Sequence, residues 1–208
     1  RDIMRVGGVT YADTGVLTQN TPHEVEEVNG CKFISGANLC LSLRDPQSMS
    51  PFYNPPGARG EDTFLSTCLH DKKVVRIPCY AFHDGFATYN HLLNGVLPSC
   101  LKPICGDSRG IVNRFYNACI GWVRYKPLLL YITQRGQYQQ RIAEMRSNLQ
   151  SSLPAICKGF NRGDFNNVLV ELDRYAGAVE EHYAQFLRTG EIWHILCADL
   201  ATHGSAAS

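Results

Sequence analysis

Apolar residues change their spacing along this chain near residue 105. Before that point they come in short runs broken by glycine and proline, and after it they recur at three- and four-residue intervals over long stretches. Short apolar runs between turn formers predict strands, whereas the longer spacing predicts amphipathic helices. Residues 1–105 therefore read as α/β and residues 106–208 as a mainly helical region.

Within the first region, residues 6–30 carry turn formers and β-branched pieces but no long helical period, as expected of irregular or weakly stranded chain. Cys31 to Leu43 reads as a strand interrupted by the small residues Gly36-Ala37-Asn38. A loop follows over 44–60, marked by Asp45-Pro46, Pro51-Phe52-Tyr53-Asn54-Pro55-Pro56, Gly57 and Gly60. From Glu61 onward Phe64, Leu65, Cys68 and Leu69 fall at helical spacing, so a short helix is predicted with Glu61 and Asp62 in its first turn. Lys72 to His83 then reads as a strand that Pro78 confines to an edge or a bulge.

In the second region helical spacing covers 109–151 and 164–200, with turns expected near Pro154 and from Gly159 to Gly163. Val168, Leu169, Leu172, Tyr175, Val179, Tyr183 and Phe186 form a broad apolar face suited to packing. The stretch 111–133 combines Phe115, Tyr116, Trp122, Tyr125 and Leu128 to Tyr131 with Arg114, Arg124 and Lys126. That makeup suits a helix lying peripherally on a membrane surface, and a buried core helix accounts for it about as well.

Composition narrows the partners. A net charge of +1 supplies no general attraction for nucleic acid, so no nucleic-acid partner is expected. Nine cysteines, an odd number without a dense repeating framework, point to reduced thiols and a cytoplasmic setting. Cys100 and Cys105 are too widely spaced for a structural zinc pair. No run of about 18 uncharged apolar residues is present to span a bilayer.

The candidate chemistry centres on Gly57-Ala58-Arg59-Gly60-Glu61-Asp62. Two carboxylates in a first helical turn lie at the positive end of the helix dipole, and Arg59 adds a nearby cation. The dipole and Arg59 favour the charged form, while burial in a closed pocket would oppose it. A carboxylate balanced this way suits a general base, although acids also occupy first turns simply because they help a helix start. Asn38, in the small-residue gap, could hydrogen-bond a sugar or serve as a turn former. Phe52 and Tyr53 could form an apolar platform for a sugar ring or pin the proline-rich loop. His83 leaves its strand into Asp84-Gly85, a position from which an imidazole can ligate a metal or merely cap a turn. His91 completes no recognisable metal motif with it.

The order of Gly36-Ala37-Asn38, the loop, Gly60-Glu61-Asp62-Thr63-Phe64-Leu65-Ser66 and the strand ending at His83 resembles the acceptor-side half of inverting family 2 glycosyltransferases. The resemblance covers about residues 30–85. It implies a partial GT-A-like, Rossmann-like mixed sheet ahead of the helical region. It also implies transfer of a sugar from a nucleotide-sugar donor to a sugar or glycan acceptor. Asp62 would be the base, Glu61 would join Arg59, Asn38, Phe52 and Tyr53 in acceptor binding, and His83 would sit near a Mg²⁺ or Mn²⁺ ion and the diphosphate. The departure is the missing Asp-x-Asp that usually ends the nucleotide-binding half, which occurs nowhere here. The resemblance thus implies a C-terminal portion, without an evident nucleotide pocket of its own. Two other classes compete: a noncatalytic helical module that binds a partner protein or membrane surface, and a cysteine hydrolase using His83 and Asp84. The second lacks a nucleophile at a recognisable elbow.

Overall fold

The computed structural model describes residues 21–34, 39–42, 45–77 and 108–204. Asn38 and His83 lie outside them. The chain divides into two units, Arg1–Val25 with Val75–Phe115 and Glu26–Val74 with Tyr116–Ser208.

In the first unit β1 (His23–Glu24) pairs antiparallel with β2 (Val75–Arg76), with His23 opposite Arg76 and Glu24 opposite Val75. Among the described residues this pair is the whole of the sheet, so the mixed GT-A-like sheet expected for the first region is not seen there. The strand expected from Lys72 to His83 is extended only at Val75–Arg76, and residues 78–83 lie outside the described residues.

The second unit contains the segment from Cys31 where a strand was expected. The described residues there form none beyond an isolated bridge between Val28 and Cys31. A strand persists only if neighbouring chain takes up its backbone groups. Here those groups go elsewhere: the Lys32 N–H donates to the Ser66 carbonyl at 3.2 Å and the Ile34 N–H donates to Ser66 Oγ at 3.1 Å. The segment is thereby tied to the end of α1 (Glu61–Ser66) instead of to a sheet.

Four longer helices follow: α2 (Ser108–Thr133), α3 (Tyr138–Phe160), α4 (Asn167–Gly177) and α5 (Val179–Gly204). The structure is thus mainly helical, as the spacing predicts for the second region. From Tyr116 onward α2 buries Ile120 and Val123 and then every residue from Pro127 to Tyr131, so its last turns are enclosed on all sides. This is the core-helix pattern, with Trp122 left on the exposed side. Val168, Leu172, Tyr175 and Val179 are buried as their periodicity predicts. Together with Phe165 they join the fully buried Phe64 of α1 in the apolar interior of this unit.

The turn expected near Pro154 is absent, because Pro154 lies inside α3. An interior proline removes one backbone hydrogen bond and crowds the preceding turn, yet a helix packed through its neighbours can absorb this. Here Leu153, next to it, is buried. The helix ends instead at Asn161, whose left-handed φ of 51° closes α3 while the Arg162 N–H donates to the Cys157 carbonyl at 2.9 Å. Asparagine tolerates this conformation, so the turn falls within the expected 159–163 without needing either glycine for its left-handed residue. Among the described residues no helix is long and apolar enough to cross a membrane.

Candidate functional site

Gly60 starts α1 with φ 124° and no side-chain cap, a backbone geometry that side chains rarely adopt. Four residues later Phe64 is fully buried and Leu65 nearly so, and these two hold the short helix to the core. Complete burial of one such side chain stabilises by about 1.5–3 kcal/mol. The buried Ser66 hydroxyl donates to the Asp62 carbonyl at 2.7 Å, which ties the short helix from its far end. Cys68 and Leu69, expected to extend the helix, fall in the turn after it and are half-buried.

This arrangement presents the two acids differently. Glu61 is exposed, and its Oε2 accepts from Asn54 Nδ2 at 3.4 Å and from the Gly60 N–H at 3.3 Å. Asp62 is half-buried, with Oδ1 accepting the Thr63 N–H at 2.8 Å. Arg59 is exposed beside them.

The aromatic pair of the preceding loop splits. Phe52 is 50% exposed, consistent with availability to a ring, whereas Tyr53 is buried. The Tyr53 ring meets Phe64 edge-on at 5.7 Å and Phe186 at 5.4 Å between centroids, and its hydroxyl donates to the His182 carbonyl. Burial, with Glu181 nearby, pushes its phenol up to about 12. Tyr53 therefore pins the loop, the second of the two roles its sequence context suggests.

Several residues that give no local sign in the sequence bear on the site. Trp193 Nε1 donates to the Met49 carbonyl at 2.7 Å, the Tyr175 hydroxyl donates to the Pro56 carbonyl, and Arg124 Nη1 donates to the Gly57 carbonyl at 2.9 Å. Tyr125 lies against Gly60: a Cβ added at Gly60 would come within 3.3 Å of the Tyr125 ring. Burial first, and then the Asp62 carboxylate, push the Tyr125 phenol above its usual value. These partners sit 60 or more positions from the loop in the chain, beyond the reach of periodicity or motif spacing.

Among the described residues no three His, Cys, Asp or Glu side chains converge as metal ligands. No family model, curated protein or solved structure matches the chain.

Proposed function

We propose that this chain is the acceptor-side portion of an inverting glycosyltransferase, with Asp62 as general base. The observation that carries the reading is the half-buried Asp62 at the start of a helix pinned by Phe64, next to an exposed Glu61, with the half-exposed Phe52 in the loop leading to that helix. In the reaction the acceptor hydroxyl oxygen forms a bond to the anomeric carbon of a nucleotide-sugar. The hydroxyl proton passes to Asp62, and the bond from the anomeric carbon to the diphosphate oxygen breaks with its electron pair leaving on the diphosphate. Glu61 and Arg59 are the polar groups at hand to orient the acceptor, with Phe52 as the apolar contact. The GT-A-like sheet, the cytoplasmic setting, and Mg²⁺ or Mn²⁺ with His83 as its ligand belong to the same reading on the resemblance alone. The described residues supply no metal cluster of their own.

A noncatalytic interaction module is the second reading, favoured by Ile192, Ile195 and Leu200 on α5, each more than half exposed. Exposed apolar side chains gathered on one helix are common at contact surfaces. Titration of sugar and glycan acceptors into the chain separates the two. Acceptor binding that Glu61→Gln weakens supports the transferase, and no acceptor binding at all supports the module.

A further inference from the structure

We propose that Arg124 and Tyr125, neighbours on α2, are positioning residues for the Glu61–Asp62 pair, reaching it through the loop Pro55–Gly60. Their functional meaning rests on the transferase reading, whereas the contacts stand on geometry.

The loop cannot place the acids by itself. Gly57 and Gly60 both have positive φ, 70° and 124°, and glycine visits many other conformations as readily. External contacts must therefore select this one. Arg124 Nη1 holds the Gly57 carbonyl at 2.9 Å, and the Tyr125 ring closes against Gly60. Consecutive helical residues point about 100° apart, so two adjacent side chains of α2 can grip the loop at points three residues apart.

Arg124 is itself held. Its Nε donates to Glu171 Oε2 at 2.5 Å, and Arg174 Nη2 donates to the same oxygen at 2.7 Å. The guanidinium is planar, so fixing Nε on Glu171 also fixes where Nη1 points. A lysine could meet Glu171 or the Gly57 carbonyl but could not be held in this plane toward both. Tyr175 supports the same stretch through the Pro56 carbonyl. A displacement of about 1 Å at a reacting group can cost about 10²-fold in rate, which gives such a clamp its value.

Two measurements on the full chain test this, and neither requires sugar transfer. In Arg124→Lys the Ala58 amide, bonded to the Pro55 carbonyl at 2.9 Å, and the Phe64 amide, bonded to the Gly60 carbonyl at 2.9 Å, should exchange with deuterium tenfold or more faster. Amides of α3 should be unchanged. Unchanged loop exchange, or equal acceleration throughout α2 to α4, would overturn the positioning role, the second because it marks general destabilisation. In Tyr125→Leu the Phe64 amide, bonded to the Gly60 carbonyl, should exchange about tenfold faster. Unchanged exchange would remove Tyr125 from the clamp. If both results hold and no sugar acceptor binds, the clamp stands and the transferase reading alone falls.

Discussion

The Tyr53 hydroxyl donates to the main-chain carbonyl of His182 on α5 at 3.0 Å, joining residues 129 positions apart. The same ring lies edge-on against Phe64, so one side chain connects the proline-rich loop, the acid-bearing helix and α5. Removal of the hydroxyl in Tyr53→Phe keeps the ring contacts and loses the buried bond. Urea denaturation should show a loss of about 1 kcal/mol, the usual net value of one such hydrogen bond. A wild-type midpoint would show that the bond adds nothing.

His182 is buried, and its imidazole faces the Tyr175 ring at 5.2 Å between centroids. Burial holds its proton affinity below the ordinary value, against the pull of Glu181 and with help from Arg174. The folded chain thus favours neutral imidazole. Its contribution to stability is complete above the unfolded value of about 6.5 and declines as pH falls below it, because the unfolded chain then binds the proton more readily. Between pH 7.5 and pH 5.5, on the order of one unit either side of that value, His182→Gln should lose less stability than the unmodified chain. Parallel losses would assign the acid sensitivity to other groups.

Gly60→Ala places a side chain at φ 124° with its Cβ 3.3 Å from the Tyr125 ring. Strain of this kind costs about 1–3 kcal/mol, to be read from the denaturation midpoint. Gly121 supplies the contrast, since a Cβ there meets nothing within 4 Å and its backbone is helical. Gly121→Ala should stabilise by about 0.5–1 kcal/mol. Equal effects of the two substitutions would mean that the Gly60 conformation is not required.

Asp62→Asn keeps the shape of the side chain and removes its ability to take a proton. In a complete transferase it should lower kcat by about 10²- to 10⁴-fold while the melting temperature holds. Glu61→Gln, on an exposed carboxylate, should act chiefly on acceptor KM. Normal kcat in folded Asp62→Asn would eliminate this residue as the base.

The amino-acid sequence by itself determined what depends on neighbours within a few residues. The helical character of the second region follows from apolar spacing, as does the burial of Val168, Leu172, Tyr175 and Val179 on one face. The short helix opening at Glu61 with both acids in its first turn was legible for the same reason. Pro154 shows the limit, because the proline rule is local while packing of the residues around it kept α3 continuous. The expected strand at Cys31 met the same limit: its amides found Ser66 instead of a sheet partner. Tertiary structure also chose between the two roles of Tyr53 and supplied Asn54 on Glu61 and Arg124, Tyr125 and Tyr175 on the loop before the acids. Apart from Asn54, seven residues from Glu61, these contacts span 60 or more positions. Nothing in local periodicity encodes such pairings, and they exist only once α2 and α4 have packed against the loop.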